Sequence, residues 1–315
     1  MNLGGRRAVV TGGAGFVGSH LAERLLSMDV AVTVVDDLSN GNREWVPDGA
    51  RFVEGDLTKA AVAEEAISED TDVVFHFAAR KAVNDPDPRG QFEANTAMTL
   101  NVLERMAAVD VDGIVYTSSS TVYGEAPRPT PEDYPQRPIS MYATSKVAEE
   151  GLISTYATAN GFDAWIFRFA NIVGPRLQPG AVIVDFIQKL LEDPAELEIL
   201  GDGRQEKSYM HVEKCVDAMT FAVESATDSY NVFNLGTRTT TSVIGIADIV
   251  SEELGLDPEY TFTGGDRGWT GDVPKMRLSV EKLAALGWEP TDSSDEAVQR
   301  ATSELAAQYA AGHTP

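Results

Sequence analysis

Short apolar runs alternate with amphipathic helical patterns over the first half of the chain. The apolar runs are rich in β-branched and aromatic residues, and they predict strands at 7–11, 31–36, 51–55, 72–77, 113–118 and 164–169. The intervening segments predict helices at 15–27, 58–67, 88–108 and 141–160. Apolar strands that alternate with helices are typical of a parallel sheet covered on both faces. The pattern therefore predicts an α/β fold with a Rossmann-type, doubly wound parallel sheet.

The alternation of predicted strands and helices is less regular in the second half of the chain. Prolines and a glycine there mark a loop after residue 174. Further elements are predicted at 182–191 (helix), 197–200 (strand), 212–225 (helix) and 294–311 (helix). We expect residues 1–175 to form a nucleotide-binding domain and 176–315 to form mainly a smaller, C-terminal substrate-binding lobe. Within the second half, 210–250 is expected to return to the first domain.

The charge of the chain is strongly negative. Its 315 residues include 49 Asp and Glu against 25 Lys and Arg, so the formal net charge is −24. Such a chain repels nucleic-acid phosphates and anionic lipids, and neither is expected as a partner. The charge also predicts a halophilic protein, because crowded carboxylates repel one another when salt does not screen them. An ordinary acidic protein is the alternative interpretation.

The cysteine, the histidines and the lengths of the apolar runs exclude several kinds of protein and site. Cys215 is the single cysteine, which excludes an internal disulfide. The four histidines lie far apart in the sequence, so we expect no metal site. No apolar run approaches the roughly 18 residues of a membrane span, and glycines interrupt the apolar segment near the start. We therefore expect a soluble, cytoplasmic protein.

A glycine-rich segment, TGGAGFVGSH, follows the first predicted strand and opens the first predicted helix. Gly13, Gly15 and Gly18 fit the dinucleotide-binding fingerprint, and Gly12 adds a second spacing. The missing side chains let the backbone turn tightly and approach a pyrophosphate, which then lies at the helix N-terminus. The segment therefore predicts a dinucleotide cofactor.

Two carboxylates at the end of the second predicted strand favour one dinucleotide over the other. Asp36 stands where an acid accepts hydrogen bonds from the adenosine ribose hydroxyls and repels a 2′-phosphate. Asp37 strengthens the same preference. The sequence therefore predicts NAD rather than NADP.

A tyrosine and a lysine are predicted to share one face of a helix. Tyr142 and Lys146, in the segment SMYATSK, lie about one turn apart. Tyrosine has an ordinary pKa of about 10, and a nearby ammonium lowers it by favouring the phenolate. Tyr142 is thus a candidate base for a substrate hydroxyl. An exposed helix pair is the alternative for this spacing taken alone.

A cluster of hydroxyl side chains, YTSSSTVYG, follows the fifth predicted strand. It lies at the carboxyl edge of the sheet, where doubly wound folds bind ligands. Ser119 is the candidate for orienting a reacting oxygen. Helix capping or turn formation by Ser118 to Thr121 is the alternative.

These segments together resemble the extended short-chain dehydrogenase/reductases, within them the NAD-dependent epimerase/dehydratase family, and most of all archaeal UDP-hexose 4-epimerases. The resemblance covers nearly the whole chain and is carried by TGGAGFVGSHL, VVDDLSNG, GDL, VFHFAA, SSSTVYG, YATSK, RFANIVGPR, GDGRQEKSYMHV, GDVP and LGWEP. It implies homodimers, with helices 88–108 and 141–160 at the interface.

The resemblance also implies roles for individual residues. Those implied for NAD binding are Gly12, Gly15, Phe16, Val17, Gly18, Asp36, Asp37, Asn40, Gly41, Asp56, Leu57, Phe77, Ala78, Ala79, Lys81, Asn95, Ser118, Tyr142 and Lys146. Those implied for catalysis are Ser119 as hydroxyl donor, Tyr142 as base and Lys146, which tunes that base. Those implied for the nucleotide sugar are Ser119, Ser120, Asn171, Val182, Lys207, Tyr209, Arg267 and Asp272.

Departures from the family pattern separate the possible reactions. The 4,6-dehydratases carry an Asp-Glu pair where this chain has Ser120 and Thr121, so elimination of water is disfavoured. Many 4-epimerases have an arginine at the position of Lys207, and only arginine offers phosphate a bidentate fork. Arg267 lies further from Asp272 than the family's second arginine does. These two departures weaken the assignment of the substrate.

The resemblance implies NAD-dependent epimerisation of a nucleotide sugar at C4, between UDP-glucose and UDP-galactose, through a transient 4-keto sugar. One alternative is an epimerase, dehydratase or oxidoreductase that acts on another nucleotide sugar, such as a uronate or an N-acetyl sugar. A second alternative is a non-catalytic, NAD-binding regulator.

Overall fold

The computed structural model describes residues 1–81, 85–265 and 273–311. The chain separates into two compact units. The first unit comprises Met1–Tyr123, Pro135–Arg168 and Val216–Phe233, and the second comprises Gly124–Tyr134, Phe169–Cys215 and Asn234–Pro315. Within the segment 210–250, the residues in the first unit are therefore 216–233.

The strands follow the predicted bounds closely in the first half of the chain, where each predicted strand is present to within one residue at either end. In chain order they are β1 (Arg7–Thr11), β2 (Ala31–Asp36), β3 (Arg51–Glu54), β4 (Val73–His76), β5 (Gly113–Ser119), β6 (Asp163–Phe169), β7 (Asn171–Val173), β8 (Glu196–Ile199), β9 (Glu206–Lys207), β10 (Tyr209–His211), β11 (Tyr230–Leu235), β12 (Thr241–Ser242), β13 (Glu259–Phe262) and β14 (Lys275–Met276).

The helices agree with the prediction to within two residues wherever one was predicted. They are α1 (Phe16–Ser27), α2 (Ala60–Ala66), α3 (Pro88–Ala108), α4 (Met141–Asn160), α5 (Val182–Glu192), α6 (Val212–Ser225), α7 (Val243–Leu254), α8 (Glu281–Leu286) and α9 (Ser294–Ala310). Short 3-10 helices cover Arg43–Trp45 and Ser120–Tyr123. Among the residues that the structure describes, no helix is both long and apolar enough to cross a membrane.

A seven-stranded sheet with the order β11-β6-β5-β4-β1-β2-β3 forms the centre of the first unit. β1 lies between β2 and β4 and is parallel to both, with Thr11 opposite Val35 on one side and His76 on the other. Chain connections leave in opposite directions on either side of β1, so a crevice opens at the carboxyl ends of β1 and β4. This confirms the predicted doubly wound, Rossmann-type fold.

One face of this sheet packs against α2, α3 and α4. Alternate strand residues such as Val9, Val74 and Ile114 join helix residues such as Val102 and Ile153 in a single buried cluster. The alternation follows from the pleat, which directs successive side chains to opposite faces of the sheet. Burial of this much apolar surface fixes the helices that carry the candidate site.

The long helix α4 has a clear start and a clear end in the sequence. Ser140 caps it by accepting a hydrogen bond from the backbone nitrogen of Ala143 at 3.1 Å. Gly161 ends it in the left-handed conformation, at φ 78°, which glycine adopts at little cost. The helix therefore presents Tyr142 in its first turn and Lys146 one turn later.

Among the residues that the structure describes, the second unit contains three small sheets rather than one large sheet. They have the orders β10-β7, β12-β9-β14 and β13-β8. Helix α9 opens with a capping box, in which Ser293 and Glu296 each accept a hydrogen bond from the other's backbone nitrogen. β8 was predicted at 197–200, but most strands of these sheets have only two or three residues, an alternation too short to predict from sequence.

Candidate active site

Glycines from the end of β1 to the first turn of α1 occupy positions where a side chain would collide with the backbone. Gly12 has φ 65°, and a Cβ there would lie 2.8 Å from the backbone nitrogen of Ala78. A Cβ on Gly18 would collide with the carbonyl oxygen of Gly12. Gly15 caps α1 in an extended conformation without a side-chain hydrogen bond, and the first helical turn carries no acidic residue. The backbone N–H groups of Phe16 and Val17 thus begin a helix suited to an anion.

Asp36 ties the end of β2 to this loop. Its Oδ2 accepts a hydrogen bond from the backbone nitrogen of Ala14 at 3.0 Å, and its Oδ1 accepts one from Leu38 at 2.9 Å. Burial raises the pKa of Asp36 above its ordinary value, although both backbone bonds oppose the rise. Each carboxylate oxygen keeps a second lone pair, so the group can still accept hydrogen bonds from a diol.

The residues that follow Asp36 form a loop beside it. Asp37 is exposed, and its Oδ1 accepts hydrogen bonds from the backbone nitrogen and the hydroxyl of Ser39, at 2.9 and 2.6 Å. Asn40 is exposed. A Cβ on Gly41 would lie 2.7 Å from Oδ1 of Asp36, so this position requires glycine. The loop therefore brings Gly41 against Asp36, and the charge of Asp37 contributes to the raised pKa of Asp36.

The segment after β3 carries a second carboxylate of the predicted cofactor site. Asp56 accepts hydrogen bonds from the backbone nitrogen and the hydroxyl of Thr58, at 2.8 and 2.7 Å. Burial acts to raise the pKa of Asp56, but the bonds from Thr58 outweigh it and leave the pKa below its ordinary value. Leu57 is buried beside it, and its carbonyl accepts a hydrogen bond from Asn101 at 2.8 Å.

Thr11 holds the ends of β1 and β4 together. Its hydroxyl oxygen accepts hydrogen bonds from the backbone nitrogens of Phe77 and Ala78, at 3.1 and 3.2 Å. Phe77, Ala78 and Ala79 are partly buried and follow β4 at the crevice. The predicted lining of the cofactor channel therefore lies beside Gly12.

Asn95 holds the backbone of Arg80, the residue before Lys81, through hydrogen bonds. Its buried amide accepts a hydrogen bond from the backbone nitrogen of Arg80 at 2.8 Å and donates to the carbonyl of Arg80 at 3.2 Å. It also donates to the hydroxyl of Ser145 at 3.1 Å. Lys81, the next residue after Arg80, is exposed. The amide of Asn95 is therefore engaged with protein groups.

Lys146 is buried, and its ammonium points at the sheet. Nζ donates a hydrogen bond to the hydroxyl of Tyr116 at 3.1 Å and lies 5.8 Å from the ring centre of Tyr142. Desolvation lowers the pKa of Lys146, and the charges of Glu149 and Glu150 oppose this. The ammonium therefore lies between Tyr116 and Tyr142, which the motif alone does not indicate.

The pKa of Tyr142 is shifted upward, opposite to the direction that its spacing from Lys146 predicts. Burial is the main cause, and the negative charge of Glu149 adds to it. These two effects outweigh the attraction between the phenolate and the ammonium. The protein around Tyr142 thus favours the protonated hydroxyl.

The three serines of the cluster lie in different environments. The hydroxyl of Ser118 donates to Oε1 of Glu150 at 2.5 Å, so it faces the interior. Ser119, at the end of β5, accepts hydrogen bonds from the backbone nitrogen and the hydroxyl of Thr121, at 3.2 and 2.8 Å. Neither bond uses the hydrogen of Ser119, which stays available for donation. Ser120 is buried in the short 3-10 helix that follows.

Several buried residues near Lys146 were missed by sequence reasoning. Tyr116 lies within the apolar run of β5, where it is indistinguishable from a core residue. Glu149 follows Lys146 at i,i+3, a spacing at which helical side chains meet, so this signal was present in the sequence. His76 and Thr99 lie 3.0 Å apart, between Nε2 and Oγ1, but far apart in sequence.

Apart from Ser119 and Ser120, the residues that the resemblance assigns to the nucleotide sugar belong to the second unit. Asn171 in β7 and Tyr209 in β10 are direct partners in a parallel pair of strands, so the structure brings these two together. Lys207 lies in β9 opposite Thr241 and Met276. Val182 is the first residue of α5. Arg267 and Asp272 lie outside the described residues.

Comparisons with known proteins agree with this geometry. The family described as the NAD dependent epimerase/dehydratase family matches residues 8–236. The chain is 34% identical over 301 residues to a Methanocaldococcus jannaschii protein named "Putative UDP-glucose 4-epimerase", and the match covers 93% of this chain and 96% of that one.

Two solved structures are similar over nearly their whole length. A UDP-galactose 4-epimerase superposes with a TM-score of 0.88 at 42% identity, covering 96% of this chain and 99% of the other. A Thermotoga maritima UDP-glucose 4-epimerase with UDP-glucose superposes with a TM-score of 0.89 at 31% identity and the same coverage. The resemblance stated from sequence is thus confirmed. The chain belongs to the NAD dependent epimerase/dehydratase family.

Proposed function

We propose that the protein epimerises a UDP-hexose at C4, interconverting UDP-glucose and UDP-galactose. The observation that carries the proposal is that the first unit combines a glycine cradle beside Asp36 with Ser119, Tyr142 and Lys146. A protein that only binds a dinucleotide does not need the last three residues. Their presence supports an enzyme that moves a proton and a hydride at one carbon.

The first unit fits the NAD cofactor of the family. Gly12 and Gly18 leave space where a Cβ would collide with backbone, and α1 begins without a side-chain cap. Both features suit a pyrophosphate at the N-terminus of α1. Asp36 keeps lone pairs for the adenosine ribose, and its charge opposes a 2′-phosphate. NAD held there would supply the acceptor and donor of the C4 hydride, and its cationic ring would favour the tyrosine phenolate.

Tyr142 is the proposed base for the 4-hydroxyl of the sugar. The protein raises the pKa of Tyr142 through burial and the charge of Glu149, so formation of the phenolate depends on positive charge beside the ring. Ser119 donates its free hydrogen to the same sugar oxygen, with its own oxygen held by Thr121. Lys146 supplies the positive charge that favours the phenolate during proton transfer.

The sugar nucleotide is assigned from the relatives and from residues of the second unit. The three similar proteins described above are named UDP-glucose or UDP-galactose 4-epimerases. Asn171 and Tyr209, paired across β7 and β10, are the proposed contacts to the nucleotide sugar, together with Val182 and Lys207. A hydroxyl from Thr121, engaged with Ser119, cannot supply the acid and base that a dehydratase needs.

The assignment is tested by following one sugar nucleotide at a time by NMR. The purified protein receives UDP-galactose without added NAD. Conversion to a mixture with UDP-glucose supports the proposal. Conversion only of a UDP-uronate or of a UDP-N-acetyl sugar contradicts the hexose assignment while keeping the reaction. No conversion of any of these contradicts the reaction itself.

We also propose that the protein is a homodimer and is located in the cytoplasm. The helices implied at the interface are α3 and α4, which pack against each other within the first unit. A molar mass in solution of twice the mass of one 33.9 kDa chain would support the dimer. A mass equal to that of one chain would contradict it.

A further inference from the structure

We propose that Glu149 is a positioning residue that holds Lys146 in its ammonium form and thereby sets the pH range in which Tyr142 exchanges its proton. The inference rests on the proposed roles of Tyr142 and Lys146. It concerns a carboxylate to which neither the motif nor the resemblance assigned a role.

The carboxylate of Glu149 lies behind the ammonium of Lys146. Both side chains are on α4, at i,i+3, with Oε2 of Glu149 3.8 Å from Nζ of Lys146. Glu149 is fully buried. Oε2 accepts a hydrogen bond from the hydroxyl of Thr99 at 2.9 Å, and Oε1 has no hydrogen-bond partner among the described residues. The side chain of Tyr116 also forms a hydrogen bond with this carboxylate. A buried carboxylate with so few hydrogen bonds depends on a nearby positive charge.

The neighbouring carboxylate is held in a different way. Glu150 binds the guanidinium of Arg168 at 3.0 and 2.7 Å. It also accepts hydrogen bonds from Ser118 at 2.5 Å and Gln136 at 2.6 Å. Its charge is therefore largely balanced by Arg168. Both carboxylates act on Lys146, and the effect of Glu149 is the larger of the two.

A chain of hydrogen bonds fixes the orientation of Glu149. Thr99 has one hydroxyl hydrogen, which it donates to Glu149, so it must accept from Nε2 of His76 at 3.0 Å. Burial and the charge of Lys146 lower the pKa of His76 to about 3, so the ring is neutral. Nδ1 of His76 then accepts from Thr11 at 2.8 Å. The chain ends at Thr11, which is anchored by backbone N–H groups.

The charge of Glu149 acts in the same direction on Lys146, Tyr116 and Tyr142. It opposes the lowering of the pKa of Lys146. It also contributes to the raised pKa of Tyr116 and to that of Tyr142. Glu150 acts in the same direction on Lys146 and Tyr116, but Arg168 balances its charge. Removal of the charge of Glu149 therefore makes protons easier to lose from both Tyr142 and Lys146.

The test is the pH dependence of turnover in Glu149→Gln. Glutamine keeps the shape and can still accept the bond from Thr99, so a merely structural role would leave the pH profile unchanged. We expect both the acidic and the alkaline limb to move to lower pH by about one to three units. Glu149→Asp, which restores the carboxylate, is expected to return the profile towards the parent. Glu93→Gln, an exposed change on α3, controls for net charge. Coincident profiles for Glu149→Gln and the parent would overturn the proposal.

A second measurement does not depend on activity. Thermal unfolding is compared for Lys146→Met, Glu149→Gln and the double variant. Lys146→Met leaves the carboxylate buried without its cation, so we expect the double variant to be more stable than the sum of the single effects predicts. Additive losses would overturn the charge pairing, even if Glu149→Gln alone folds poorly. Full activity of Tyr142→Phe would instead show that the proposed function has failed.

Discussion

Tyr116, in the middle of the central sheet, accepts a hydrogen bond from the ammonium of Lys146 at 3.1 Å. The ammonium also lies 4.7 Å from the centre of the same ring. A fully buried tyrosine thus anchors the cation that the tyrosine–lysine motif places beside Tyr142. The position of Lys146 is determined by β5 as much as by α4.

Removal of this anchor should lower stability. Tyr116→Phe keeps the ring and removes the acceptor, so the buried ammonium loses a hydrogen bond. We expect the free energy of unfolding to fall by about 1.5–3 kcal/mol, the range for a hydrogen bond to a charged group. Urea unfolding measures this, with Tyr156→Phe on α4 as the control. Equal losses in the two variants would contradict the anchoring role.

Asp36 should determine the preference for NAD. Asp36→Asn removes the charge but keeps the size, and we expect the Kd for NAD to rise about 10- to 100-fold, because hydrogen bonds to a charged group are lost. The parent protein should bind NAD more tightly than NADP. Calorimetric titration measures both constants, with the exposed Asp48→Asn as the control for net charge. Equal affinity of the parent for the two cofactors would refute the role.

His76 should make the fold sensitive to acid. Its pKa is about 3 in the folded protein, against an ordinary value of about 6.5, so only the unfolded chain takes up a proton between these values. The contribution of His76 is therefore fully present above about pH 6.5 and is lost as the pH falls towards 3. Between pH 6.5 and 5 the loss amounts to about 2 kcal/mol.

His76→Gln removes this titration. The variant is expected to be less stable at neutral pH, because it loses the bonds to Thr11 and Thr99. Its stability should nevertheless fall less steeply on acidification than that of the parent. Urea unfolding at pH 7 and pH 5 gives both slopes. Parallel slopes would mean that His76 does not titrate in this way.

The acidic composition should make stability depend on salt. With a net charge of −24, repulsion among carboxylates is strong at low ionic strength and is screened at high ionic strength. We expect the Tm to rise steadily from low salt to molar KCl. A parallel series in which uncharged sucrose replaces KCl separates screening of charge from a general stabilising effect of added solute. A flat Tm across the KCl series would contradict the halophilic interpretation.

Sequence reasoning succeeded where one local pattern determined the structure. The glycine segment, Asp36 and the helix of Tyr142 could be located because each depends on neighbours in the chain. Glu149 could have been found from its spacing to Lys146. Tyr116 and Thr99 could not, because they reach Lys146 and Glu149 only through the packing of β5 and α3 against α4. In the second unit β8 was predicted, whereas most of the other short strands were missed because two or three residues are too few to show alternation.

The raised pKa of Tyr142 shows the same limit of sequence reasoning. The spacing of Tyr142 and Lys146 indicates attraction between phenolate and ammonium, which lowers the pKa of a tyrosine. Burial and the charge of Glu149 act in the opposite direction and are larger. Burial depends on the whole fold, so a motif of a few residues cannot give the net direction.

The central claim is that Tyr142 exchanges the proton of the sugar hydroxyl. The most direct measurement is the rate at which Tyr142→Phe converts UDP-galactose to UDP-glucose, compared with the parent and with Tyr156→Phe. Loss of a general base predicts a fall of about 10²- to 10⁴-fold in Tyr142→Phe, with NAD binding and Tm retained and with Tyr156→Phe close to the parent. Turnover by Tyr142→Phe near the parent rate would contradict the account.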